Sequence, residues 1–342
     1  MGATTNVEGG RIMLLIDYPE LHDPTLNLAI EEYALRHLPG GHEYLILYVN
    51  EPSIIIGKNQ NTAEEIHARY VEDNSIHVVR RLSGGGAVYH DLGNLNFSFV
   101  TNDDGKSFHN FRKFTEPVVR ALRSLGVEAE LTGRNDLQVG ERKISGNAQF
   151  ASKGRIFSHG TLLYDSDMEA VAAALNANPE KFKSKSTKSV RSRVANITEF
   201  LSEPMSIDAF KAKLLAAIYE GRTPARYELT DEDRSAVRKL ADERYRSWDW
   251  NYGRSPAFNM RKTKRLSAGT YDVRLNVEGG VIREAAVYGD FFSLGEASEF
   301  AAKLVGVRYD AKAIGELVDT VDLTHYFGPV TRDEWMELFF YE

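Results

Sequence analysis

The chain has no cysteine. That excludes disulfides, thiolate metal sites and a cysteine nucleophile. It also has no apolar run near the roughly 20 residues that a membrane-spanning helix needs. An excess of positive charge is missing too: 42 Lys and Arg stand against 49 Asp and Glu, for a formal net charge of −7. A general nucleic-acid binder concentrates cations instead, so none is expected as a partner. Several signatures are absent as well. No G-x-x-x-x-G-K-[ST] phosphate loop occurs, because "GKS" at 105–107 has Val100 where the first glycine would stand. No G-x-S-x-G elbow supports a hydrolase triad. The nine histidines include no H-x-x-x-H pair.

What is present is an ordinary globular composition, 42% hydrophobic and 27% charged. At 342 residues the chain suggests two units on a prior of about 100–200 residues per domain. Residues 1–11 have neither a basic segment followed by an apolar core nor an Arg-rich amphipathic pattern. A loose leader before "IMLLI" and a cytoplasmic location are expected.

"DPTLNLAIEEYALRHLPGG" reads as a helix, with Asp23 as cap, Pro24 in the first turn and Pro39-Gly40-Gly41 as stop. "YLILYV", "SIIIG" and "IHVVRRL" read as short strands, and "NLNFSFV" alternates as a half-buried one. A helix over 114–125 ends at Gly126, "LQVGERKIS" is a hairpin turning near Gly140, and "HGTLLYD" is a further strand. Helices follow at 168–175, about 206–220 and 231–246. "WDWNYGRSPAF" breaks the pattern and ends the first domain. Beyond it come a hairpin turning at Gly279-Gly280 and two helices, a small α+β unit. Strands and helices mix without strict βαβ alternation, so the fold class is α+β rather than doubly wound.

Three stretches carry chemistry. In "RRLSGGGAVYHDLGNLNFSF", Gly84, Gly85 and Gly86 permit positive φ and a close approach of backbone to a ligand. Successive N–H groups there make an anion-binding concavity, and Arg80 and Arg81 could donate to phosphate or carboxylate. A flexible hairpin is the competing reading. In "GRNDLQVGERKISGNAQ", a hairpin brings Asp136 and Lys143 together. A lone carboxylate with substrate phosphates is how Mg²⁺ is usually held, and a lysine beside it is a point charge for an anion; an Asn-Asp turn with a surface lysine is the alternative. "KFKSKSTKSVRSR" holds six basic residues and no acid, either a polyphosphate clamp or a solvated loop.

Taken in order and spacing, these stretches with "HGTLLYD" and "KSVRSRVANI" resemble the lipoate–protein ligase A family of biotin/lipoate protein ligases. The resemblance runs from about Asp17 through the C-terminal unit and includes "LNLAIEEY" and "PSIIIGKNQN". It implies a mixed-sheet catalytic domain of the biotin/lipoate-ligase type over 1–250 and an α+β accessory domain over 257–342. It implies two steps: lipoate and MgATP give lipoyl-adenylate and pyrophosphate, then the adenylate acylates one lysine of a carrier domain. Carried over by position, Lys143 is the catalytic residue and meets both substrates. Arg81 also meets both. Gly86, Ala87, Val88, Tyr89, Asn135 and Lys185 face ATP or the adenylate; Ser83, Gly84, Gly85, His90 and His159 face lipoate; Asp136 faces magnesium. Members usually carry Ser-Lys-Gly in the basic loop, where this chain has Ser186 after Lys185.

The resemblance implies as partners the lipoyl domains of 2-oxoacid dehydrogenase complexes and the glycine cleavage H protein, with no nucleic acid or membrane, and a monomer is expected. Three readings compete: an octanoyl or lipoyl transferase, which lacks its cysteine here; a biotin ligase, whose adenylate loop differs from "RRLSGGGAV"; and a non-catalytic lipoyl-domain binder.

Overall fold

The computed structural model describes residues 12–58, 60, 62–133, 135–175, 193–253, 258–289, 291 and 295–340. In chain order its first part runs β1 (Met13–Asp17), α1 (Pro24–Arg36), β2 (Glu43–Val49), β3 (Ser53–Ile56), α2 (Thr62–Glu65), α3 (Ala68–Asp73), β4 (His77–Arg80), β5 (Val88–His90) and β6 (Asn94–Asn102). Then come α4 (Phe111–Ser124), β7 (Glu130–Thr132), β8 (Asp136–Val139), β9 (Arg142–Ser152), β10 (Arg155–Leu163), α5 (Met168–Ala174), α6 (Ile207–Ile218) and α7 (Asp231–Leu240). The described residues fall into two compact units. Among the described residues the first draws on 12–58, 77–172 and 193–246, the second on 60–76, 173–175 and 247–340.

In the first unit a seven-stranded sheet has the order β1-β2-β6-β10-β9-β8-β7. The β1–β2 pair is parallel and β2–β6, β6–β10, β10–β9, β9–β8 and β8–β7 are antiparallel, so the sheet is mixed. Because side chains alternate across a strand, each strand serves both faces. Leu45, Leu47, Leu95, Phe97 and Phe99 point to one face and pack on Phe114, Val118 and Leu122 of α4 and Phe210 and Leu214 of α6. The residues between them point to the other face, toward α1, and a second sheet of order β4-β3-β5 completes the unit.

Helix α1 forms as its sequence dictates. The Asp23 carboxylate accepts from the Thr25 amide at 2.8 Å, and Pro24 needs no amide partner. Its apolar residues are buried nearly all round, and two glutamates, Glu31 and Glu32, are buried with them. A buried carboxylate must be paired. Glu32 takes Arg36 Nε and Arg244 Nη1 at 2.6 Å and the Tyr245 hydroxyl at 2.9 Å.

Some boundaries move from the sequence expectation. Helix α4 begins at Phe111, capped by Asn110, and β10 begins at Arg155. The last helix of the unit changes to a π-helix over Ala241–Tyr245.

The second unit holds a three-stranded sheet of β11 (Phe258–Leu266), β12 (Gly269–Glu278) and β13 (Val281–Gly289), with α8 (Ala297–Leu304), α9 (Ala311–Val318), α10 (Leu323–Phe327) and α11 (Arg332–Phe340). Its core gathers Tyr271, Val273, Leu275, Phe300, Phe327 and Trp335. It is α+β, and Gly279 and Gly280 make the expected turn with φ of 58° and 73°.

Candidate active site

A cavity of about 130 Å³ opens in the first unit, lined from the face of the large sheet that looks away from α4 and from β3, β5 and the glycine loop. Its floor is one row of side-by-side residues. Tyr48 on β2 lies opposite Asn96 on β6, and Asn96 opposite Thr161 on β10. The Gly146 amide on β9 donates to Thr161 Oγ1 at 3.1 Å, and Gly146 lies opposite Asp136 on β8. With strands about 4.8 Å apart, Tyr48 and Gly146 stand about 14 Å from one another.

Lys143 occupies the Gly146 end. The β8–β9 register shifts between Leu137 and Gln138, so Ser145 and Lys143 face adjacent partners and Ile144 is extra. Such a bulge re-aims a side chain. Here it carries Lys143 Nζ over Gly146, where a Cβ would stand only 3.0 Å from the ammonium. Nζ lies 2.8 Å from Asp136 Oδ1, with both side chains about one-third exposed. The backbone of Lys143 is pinned on its other side by Arg193 O and the Ala195 amide, at 2.7 and 2.9 Å. Asn135 donates through Nδ2 to Asn147 O at 2.6 Å, and its Oδ1 has no partner among the described residues. Lys185 and Ser186 lie outside the described residues. Among the described residues no group of three or more His, Cys, Asp or Glu could hold a metal. The set Asp136 Oδ2 and Asn135 Oδ1 fits magnesium only in the way a phosphate-bound ion is held, by one carboxylate and the substrate's own oxygens.

The glycine loop spans the residues between β4 and β5. The two arginines serve the backbone around the loop, Arg80 the turn after β3 and Arg81 the loop itself. Arg80 is fully buried and donates through Nη1 to Gly57 O and Lys58 O, at 2.9 and 3.1 Å. Arg81 donates from Nε to Ser83 Oγ, from Nη1 to Ile55 O, and from Nη2 to Gly84 O and Gly86 O, all between 2.7 and 3.0 Å. The second Nη1 hydrogen of Arg81 has no partner among the described residues. Burial pulls this guanidinium down to about 10, so it stays charged. Gly85 takes φ of 94°, which a side chain would strain. With its carbonyls held by Arg81, the loop leaves the amides of Gly84, Gly85, Gly86 and Ala87 without partners among the described residues, in a half-buried to exposed position. Unpaired, successive N–H groups suit an anion. Val88 lines the same cavity, whereas Tyr89 points into the interior opposite Ile54.

The two histidines expected to face lipoate both line the cavity. His159 Nδ1 donates to Glu31 at 2.9 and 3.0 Å, and its Nε2 lies 2.7 Å from Ser83 Oγ. A chain of hydrogen bonds thus runs Glu31–His159–Ser83–Arg81, from α1 to the glycine loop. His90 Nδ1 lies 3.0 Å from Asn50 Nδ2. Burial, Arg81 and His159 push His90 down to about 3, so it is neutral. Sequence reasoning passed over Glu31, Tyr48, Asn50, Asn96 and Thr161. The available signal was "LNLAIEEY", where two glutamates fall on a helix otherwise apolar enough to be buried.

Two family profiles match the chain: "Lipoyl protein ligase A/B catalytic domain" over residues 23–219 and "Bacterial lipoate protein ligase C-terminus" over residues 255–339. The lipoate-protein ligase LplJ of Bacillus subtilis is 55% identical over 332 residues, covering 96% of this chain and 100% of the relative. Among solved structures, a bi-partite lipoate protein ligase of Thermoplasma acidophilum, described with its E2 lipoyl domain, matches at 36% identity with a TM-score of 0.63, over 72% of this chain and 97% of that one. A lipoate-protein ligase A bound with ATP matches at 34% identity with a TM-score of 0.60, over 71% of this chain and 98% of that one.

Proposed function

The chain belongs to the lipoate–protein ligase family, and we propose that it joins lipoate to ATP as lipoyl-adenylate and then passes the lipoyl group to one lysine of a carrier domain. The observation that carries this reading is the pairing, in one cavity, of an ammonium held over Gly146 with the amides of Gly85 to Ala87, which have no partners among the described residues.

The chemistry needs such a site. A carboxylate is a poor electrophile, and a lysine amine of reference pKa about 10.4 costs roughly 4.6 kcal/mol to deprotonate at pH 7. An adenylate supplies a good leaving group. Its formation needs no protein nucleophile, because the acid is already ionised. The site must bring two anions together, and Lys143, the loop amides and the open hydrogen of Arg81 suit that task. Asp136 and Asn135 would hold the magnesium ion, which screens phosphate charge. The Glu31–His159–Ser83 chain keeps Arg81 and the loop in place before substrate arrives. Tyr48, Val88 and Ile55 wall the acyl tail.

The acceptors we assign are lipoyl domains of 2-oxoacid dehydrogenase complexes and the glycine cleavage H protein. A thioester-forming transferase has no support in a chain without cysteine. The test is pyrophosphate release with ATP, magnesium and lipoate, octanoate or biotin, followed by mass spectrometry of apo lipoyl domain and H protein. Lipoate-dependent release and a lipoyl mass gain on one carrier lysine are expected. Release with biotin alone, or none with any acid, would overturn the assignment.

A further inference from the structure

We infer that the second unit holds a separate binding site for a small aromatic acid with one negative charge, in a cavity that shares no residue with the one at Lys143. The cavity measures about 440 Å³, within the range of small-molecule sites, against about 130 Å³ at Lys143. Every residue that lines it belongs to the second unit. They come from 63–72, Trp248 and Tyr252, β11, the start of α9 with the residues before it, and the end of α11.

Its walls are flat and held in place. The Trp248 ring stacks on Tyr252, with 6.1 Å between centroids and 11° between planes. Trp248 also packs on the β12–β13 turn so closely that a Cβ on Gly280 would collide with it. Tyr252 lies in a π-helical turn over Asp249–Gly253, a conformation that is rare and frequent at functional sites. Tyr309 and Phe340 stand 5.2 Å apart, and the Tyr309 hydroxyl donates to Phe339 O at 2.7 Å. A bound ring gains offset-stacked and edge-to-face contacts against such walls.

The polar groups call for an anion. Lys262, Arg308 and Lys312 line the cavity against Glu72 and Asp310, three cations to two carboxylates. Asp310 is already committed: its Oδ1 accepts from the Ala313 amide at 2.8 Å, and its Oδ2 lies 3.4 Å from Arg308 Nε. The Arg308 guanidinium rests 3.5 Å from the centre of the Trp248 ring. Its two terminal nitrogens have no partners among the described residues. Neither have the Ala311 and Lys312 amides, at the positive end of α9. His67 Nδ1 accepts from the Tyr70 amide at 3.3 Å, so the ring proton sits on Nε2, a donor on a partly exposed side chain that lines the cavity. Burial and the charge of Asp310 push the Tyr252 hydroxyl up to about 12, so it keeps its proton to donate. Aromatic walls with surplus donors suit a ring bearing a carboxylate, and one surplus charge suits a monoanion rather than a polyphosphate.

The probes are indole-3-acetate and its uncharged counterpart indole-3-acetamide, titrated calorimetrically into the full chain with and without lipoate. Wild type is expected to bind one indole-3-acetate per chain, about tenfold tighter than the amide, and lipoate is expected not to displace it. Arg308→Gln should weaken the acid about tenfold and the amide little. The acid–amide comparison needs wild type alone, so it stands even where the variant does not fold. No binding of the acid, equal affinity for acid and amide, or an unchanged ratio in Arg308→Gln overturns the site. Displacement by lipoate would put the probe in the acyl cavity and overturn it as well. Absence of lipoate-dependent pyrophosphate release would count against the proposed ligase activity and leave this site untouched.

Discussion

Glu31 Oε1 and His159 Nδ1 lie 2.9 Å apart, although 128 positions separate the residues in the chain. Both side chains are nearly inaccessible, at 3% and 10% exposure, so solvent does little to screen the pair. Removing one partner of a buried pair leaves the other uncompensated. Glu31→Leu is expected to lower the unfolding free energy by about 1–3 kcal/mol, because it leaves the buried His159 Nδ1–H without its acceptor, and Glu31→Gln, which keeps an acceptor, by less. Both should raise the KM for lipoate, because Ser83 and Arg81 lose their anchor. Urea unfolding and steady-state kinetics check this, and a Glu31→Leu protein as stable as wild type would show that the pair is not formed.

Lys143→Ala should abolish adenylate formation while leaving the thermal midpoint nearly unchanged, since the ammonium is only partly buried. Loss of a charge aimed at the reacting centre is expected to cost on the order of 10²–10³-fold or more. Pyrophosphate release measures it, and retained release would remove Lys143 from its assigned role.

Asp136→Asn tests the cation. The substitution keeps the side chain's shape and removes its charge. The magnesium concentration for half-maximal activity should rise about 10–100-fold. An unaltered magnesium titration would take Asp136 out of the site.

Two glycines should separate packing from chemistry. At Gly160 a Cβ would stand 2.2 Å from Asn147 Oδ1 and 2.6 Å from Phe97 Cζ. Gly160→Ala is therefore expected to destabilise by about 1–3 kcal/mol through overpacking. At Gly146 the Cβ would meet the end of a flexible lysine. Gly146→Ala should spare stability and lower kcat by displacing Nζ. Equal thermal midpoints for the two variants would contradict the distinction.

His90 makes stability depend on pH with a definite sign. Its folded pKa is pushed down to about 3, against 6.5 for the free side chain. Between those values the unfolded chain binds the extra proton. Stability therefore falls as pH drops through that window, with a slope of up to about 1.4 kcal/mol per pH unit from this group. Urea midpoints measured from pH 7 to pH 3 should decline less steeply in His90→Phe. Parallel acid limbs in the two proteins would rule the group out as a source.

Local signals were legible where local physics decides the outcome. Asp23, Pro24 and the apolar spacing after them specify α1, and Gly140, with φ of 59°, marks the β8–β9 turn. The strand β11 was not legible, because Arg261, Lys262, Lys264 and Arg265 crowd it. It forms because Met260 and Leu266 find a core and because Phe258–Leu266 pairs along the whole of β12. Arg80 and Arg81 were legible as charges beside glycines, yet nothing local says that they bond to Gly57, Ile55 and the loop's own carbonyls.

By itself the sequence determined which chemical groups exist here: no thiol, a run of bare amides, a lysine and an aspartate on one hairpin, and two glutamates on one apolar helix. Caps, turns and alternation are short-range effects, and residues within a few positions of one another settle them. Only the tertiary structure decided who faces whom. The register of β2, β6, β10 and β9 lays Tyr48, Asn96, Thr161 and Gly146 in one row, and α1 crosses that face so that Glu31 meets His159. Register follows from burying one face of a whole sheet at once, and no short stretch of chain carries that information.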